Sequence, residues 1–153
     1  MLPDDARQMT PKLIAALYTE AMLLADEARS YFDRLGREDR EALDPLLRVS
    51  FSCESLKVTT RLMHVIAWLL TQRAVEAGEI SPVQARSPGR RLGDAAGSDP
   101  AQVARLPKSA GELVEASQEL YARVRRLDDG AFEGAEPQAS PARSLLSRLE
   151  RSF

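Results

Sequence analysis

At 153 residues the chain is sized for one domain and can bury a core without disulfide or metal staples. Its 44% apolar content fits a globular protein, and 5% aromatic content leaves the core to aliphatic side chains. A net charge of −2 argues against a protein whose main task is holding nucleic acid, and the single cysteine, Cys53, excludes an intramolecular disulfide and points to a reducing compartment.

Residues 1–9, MLPDDARQM, read as a frayed start. They are acidic and lack an apolar core, so they are not a secretory signal. The longest apolar run, LMHVIAWLL at 62–70, is too short to span a bilayer and contains His64. The expectation is a cytoplasmic protein with no membrane partner.

Thr10 is placed to cap a first helix with Pro11 at its first position. Leu13, Ile14, Leu17, Ala21, Leu24, Ala28, Tyr31, Phe32 and Leu35 keep helical spacing as far as Gly36. One face is apolar, and the other carries Glu20, Glu27, Arg29 and Arg34. The charged stretch 37–44 predicts a helical turn or two, a connection short enough to make the next helix antiparallel.

That next helix is the centre of the chain. Asp44 can cap it, Pro45 fits its first turn and Gly78 its end. It spans roughly 50 Å. Turned at about 100° per residue, it shows two apolar faces. One carries Val49, Cys53, Leu56, Met63, Ala67, Leu70 and Ala74. The other carries Leu47, Phe51, Val58, Leu62, Val65 and Leu69. Ser50, Glu54, Lys57, Arg61 and Gln72 form a narrow polar stripe between them. A helix apolar on two sides must be covered on two sides. The expectation is a homodimer through this helix, with Phe51, Leu62, Val65, Trp68 and Leu69 as the candidate protein interface. Trp68 falls near the polar stripe, and tryptophan is enriched at interfaces.

The segment 81–107 holds prolines at 82, 88, 100 and 107 and glycines at 89, 93 and 97. Ser81-Pro82 can start one short turn, and the rest predicts a mobile loop. Ser109 and Glu112 have the spacing of a capping box, opening a helix whose seam is Leu113, Ser117, Leu120, Val124 and Leu127 and whose end is Gly130. Residues 131–153 predict a flexible tail. Within it, Ser140-Pro141 can open a short helix with Leu145, Leu146, Leu149 and Phe153 on one side, a candidate tail contact. The sum is an all-α fold: a three-helix bundle domain over 1–130 with a long central helix, a loop and a tail.

No chemistry emerges. His64 and Cys53 lie roughly 16 Å apart along one helix axis, too far for a dyad. Cys53 is expected as a small core residue and His64 at the border of the polar stripe. No metal-ligand spacing occurs, and Asp4-Asp5 and Asp128-Asp129 are assigned to flexible ends. Glycines 89–97 lack the strand and lysine of a phosphate loop. No catalytic, cofactor or metal residues are therefore assigned, and the chain is not expected to be an enzyme. The arginines at 86, 90, 91, 105 and 123, 125, 126 support a weaker alternative, a nucleic-acid-associated helical protein.

The run SFSCESLKVTTRLMHVIAWLLTQRAVEAGEI at 50–80 resembles the alphaproteobacterial RcdA family, the regulators of CtrA degradation. The parts ESLKVTTRLM and AWLLTQRAVEAGEI carry the match. It extends more loosely into the flanking helices and fades in 81–107 and after Gly130. The resemblance implies a dimeric helical adaptor for the protease ClpXP. Such an adaptor would help deliver cell-cycle regulators, acting with a response-regulator adaptor (CpdR) and, for some cargo, a cyclic-di-GMP effector (PopA). The mechanism it implies is tethering, which raises cargo concentration near the unfoldase.

Overall fold

The computed structural model describes residues 10–135, with side chains from 10 to 130. Three long helices form the body: α1 (Pro11–Ser30), α3 (Pro45–Glu76) and α6 (Lys108–Ala135). Short helical pieces join them: α2 (Arg37–Glu41), α4 (Pro82–Ala85), a 3-10 turn at Pro88–Arg90 and α5 (Pro100–Val103). Among the described residues there is no strand. The fold is the expected all-α bundle.

The helix starts follow the sequence. The Thr10 hydroxyl accepts from the Leu13 amide at 3.1 Å, and the Asp44 carboxylate accepts from the Leu47 amide at 2.9 Å, each ahead of a proline. Gly78 closes α3 in the left-handed region at φ 76°, which a side chain would resist. At the end of α1, Gly36 N–H reaches back to the Tyr31 carbonyl, widening the last turn into a π turn over Tyr31–Leu35. Tyr31 and Phe32 thereby both meet Phe51, with ring centroids 6.0 and 5.2 Å away. Leu35, read as part of the apolar face, is left outside.

α1 and α3 run antiparallel, with the aromatic cluster at one end and Arg73 stacked over the Tyr18 ring at the other. α6 runs the other way, alongside α3 in the same direction. Arg61 meets Ser117, and seven residues later Trp68 meets Asp128. A parallel pair needs a crossover connection that returns along the bundle, and residues 77–107 provide it. This corrects the expectation of a mobile loop there. Ala85, Leu92, Val103 and Leu106 are buried, and residues 91–98 lie as an extended strap along α3 and α6. Gly93 sits against the His64 ring so closely that a Cβ there would clash with the imidazole.

Two further corrections concern α6. It starts at Lys108, so Ser109 lies within its first turn. Gly130 lies inside the helix, because a glycine lowers helix propensity by about 1 kcal/mol without by itself ending a helix. The expected tail helix, with Leu145, Leu146, Leu149 and Phe153, lies outside the described residues.

Candidate protein-interaction surface

The inner face of α3 is fully used by the chain itself. Phe51, Leu62, Val65, Trp68 and Leu69 are between 0 and 3% exposed, packed with Ile14, Leu17 and Ala21 of α1 and Leu113, Val114, Leu120 and Val124 of α6. The candidate interface is therefore corrected: these five residues are core. Helical rotation identifies which residues share a face but not which face meets a neighbour, and both faces of α3 are apolar.

The face left outside is the other one. Leu46, Val49, Cys53, Leu56, Met63, Ala67 and Leu70 are exposed, with Leu56 at 68% and Met63 at 65%. Cys53, expected in the core, stands on this outer face. With Thr60, these positions recur at alternating steps of three and four, the spacing of a coiled-coil seam. They cover about 36 Å of helix. From Leu46 to Leu70, no exposed residue of α3 carries a charge. The exposed threonines 59 and 60 donate their hydroxyls to the helix's own carbonyls at Ser55 and Leu56, 3.0 and 2.9 Å away. Isolated exposed apolar residues are ordinary, whereas a continuous apolar stripe marks a contact surface.

Two members of the polar stripe of α3, Glu54 and Arg61, do not face solvent but hold the strap. Arg61, 2% exposed, donates to Ser117 Oγ at 3.0 Å, to the Ala96 carbonyl at 2.9 Å and to Ser98 Oγ at 2.6 Å. The Ser98 hydroxyl donates in turn to Glu54, itself 4% exposed and paired with Lys57 at 3.1 Å. Burial lowers the Arg61 pKa, and the nearby Glu54 and Tyr121 oppose that shift.

Farther along, Asp128 is a second anchor. One of its oxygens accepts from the Trp68 indole at 2.8 Å, and the other from the Leu92 amide at 3.3 Å and from Arg91 Nε at 3.2 Å. Asp128 is thus a buried hub of α6 and not part of a flexible end. Trp68, placed by sequence at a protein contact, is buried against it. The Gly93 carbonyl accepts from the Tyr121 hydroxyl, and Asp94 pairs with Arg125 at 3.0 Å.

The arginine cluster is divided by these contacts. Arg123 reaches across to Glu20 of α1, which raises its pKa, and Arg125 holds the strap. Such an arrangement does not line up a basic stripe for a phosphate backbone. Among the described residues, no group of His, Cys, Asp and Glu is arranged to hold a metal ion, and no helix is long and apolar enough to cross a membrane.

Fold and surface together define an all-α bundle with one uncharged apolar helix face open and a polar-anchored strap in the groove beside it. The chain belongs to a family described as protein of unknown function, DUF1465, whose model matches residues 5–153. It is also similar to RcdA from Caulobacter crescentus CB15, whose crystal structure matches with 35% identity and a TM-score of 0.65 over 78% of this chain and 91% of that one. The resemblance carried by residues 50–80 thus extends to the fold, and this is an RcdA-like protein. No curated protein matches it.

Proposed function

We propose that this chain is a non-enzymatic protein-interaction adaptor, acting as a homodimer, that delivers cell-cycle regulators to the ClpXP protease by tethering. Likeness to RcdA supports the adaptor class. The observation that carries the dimer is the charge-free outer face of α3. Two copies of one uncharged stripe satisfy each other by two-fold symmetry, without any need for matched charges. Tethering raises the local concentration of cargo near the unfoldase, and this chain makes and breaks no bond.

Capture from a lysate of the source cell, with the full chain and with residues 131–153 removed, tests the reading. ClpX or a response regulator among the proteins held by the full chain is the expected result. Purified chain that neither binds ClpX nor accelerates degradation of any captured protein by ClpXP defeats it.

A further inference from the structure

The strap at 91–98 is held in an unusual way for a connection inside a bundle. From Leu92 to Asp99 it has no regular secondary structure. Only one of its side chains, Leu92, is buried. Asp94, Ala96 and Gly97 face solvent. Most of what fixes it is main chain or small polar groups of the strap meeting side chains of the groove. The Leu92 amide goes to Asp128, the Gly93 carbonyl to Tyr121, and the Ala96 carbonyl to Arg61. Asp94 meets Arg125, and Ser98 meets Arg61 and Glu54. This is how a groove binds a peptide: one aliphatic anchor, bonds to the backbone, and an acidic side chain on an arginine.

Resting on the adaptor reading above, we propose that the groove between α3 and α6 is an exchangeable peptide site whose resident ligand is the strap. Its partner is an extended segment of another protein with the same chemistry: a basic residue in the place of Arg91, which meets Asp128 and Asp129, then an aliphatic residue, an acidic residue two positions on from that, and small residues after it. With a single buried anchor, the strap opens as a local event, independent of the bundle. Glycines 89 and 97 lie at its two ends, where the backbone must swing. The groove does not stay empty once open. Arg61 and Asp128 are buried where the strap meets them, and their polar atoms need an occupant that restores those bonds. Both ends of the strap are tethered, so it competes at high effective concentration and keeps the site closed until a partner is held nearby.

Leu92→Asp removes the anchor from the full chain, and circular dichroism shows whether the bundle stays helical. The probe is a fluorescein-labelled peptide of residues 90–99, followed by anisotropy. The expected result is binding to the variant at least tenfold tighter than to the unsubstituted chain. Binding should weaken at least tenfold when the peptide itself carries Leu92→Asp or Asp94→Lys. Hydrogen exchange on the unsubstituted chain covers the case of a variant that does not fold: the Leu92 amide should exchange much faster than the Val65 amide. A helical variant that ignores the peptide overturns the proposal, as does a Leu92 amide that exchanges as slowly as that of Val65. Neither assay contains a protease or cargo, so failure here leaves the delivery reading untouched, and failure of delivery leaves the groove result standing.

Discussion

The Trp68 indole donates to Asp128 Oδ1 at 2.8 Å, a bond between two buried side chains 60 positions apart. It fixes the register of α6 against α3. Because the other carboxylate oxygen accepts from the Leu92 amide, it also fastens the strap to the same point. Asp128→Ala leaves the indole N–H and the Leu92 N–H buried without acceptors, at about 1–3 kcal/mol for each. A fall in the urea midpoint with little change in slope is expected, together with a red shift of Trp68 emission. A variant as stable as the parent chain would show that the bond contributes nothing.

Arg61 is the companion anchor. It is surrounded by Glu54, Ser98, Ser117 and the Ala96 carbonyl. Removing Arg61 strips Ser117, Ser98 and the Ala96 carbonyl of their donor and leaves Glu54 with Lys57 alone as its counter-charge, a loss of the size seen when a buried charged network is broken. Arg61→Ala should therefore destabilise the chain by about 3–5 kcal/mol. Glu54→Gln with Arg61→Met, which removes both charges at similar volume, should recover much of that loss in denaturant unfolding. If the double substitution is no better than Arg61→Ala, the cost lies in packing and not in charge.

Both anchors explain what could be read from the chain and what could not. Caps at Thr10 and Asp44 and stops near Gly36 and Gly78 are local, so short-range residue chemistry locates α1 and α3 almost to the residue. The seam of α6 was equally visible in Leu113, Ser117, Leu120 and Val124. The direction of α6 was not. It depends on contacts such as Arg61 with Ser117, which span 56 positions and leave no periodic trace. The strap was missed for the same reason: proline and glycine content describes a backbone without helix, and says nothing of side chains elsewhere that hold it. Glu54 and Arg61 on a greasy helix were the available signal, since buried charges need partners.

Tyr31 makes stability depend on alkaline pH. It is buried and donates its hydroxyl to Asp39 at 2.8 Å. Burial first, and then the bond to Asp39 and the charge of that carboxylate, push its pKa well above the usual value. The folded chain thus holds the phenolic proton more tightly than the unfolded one. Its contribution is complete below the unfolded value of about 10 and is lost as pH rises beyond it. The slope from this one group reaches at most about 1.4 kcal/mol per pH unit. Unfolding free energy measured between pH 9 and 11 should fall less steeply for Tyr31→Phe than for the parent chain. Parallel curves would remove Tyr31 from the account.

The two faces of α3 should answer a charge in opposite ways. Leu62 is 3% exposed in the core, and Leu56, six residues earlier, is 68% exposed. Leu62→Glu buries a carboxylate with no partner designed for it, and the chain should lose its cooperative melt. Leu56→Glu meets only solvent in a lone subunit, so the isolated fold should be unaffected. In a homodimer built on the outer face, the same substitution places a charge on each copy against an apolar neighbour. The expected loss is roughly 2 kcal/mol or more, about a thirtyfold rise in the dissociation constant. Met63→Glu should do the same, and light scattering over a dilution series reads both. A parent chain that scatters as a strict monomer at high micromolar concentration removes the dimer outright. A dimer that tolerates both charges moves the contact off this face, to a surface where Leu56 and Met63 take no part.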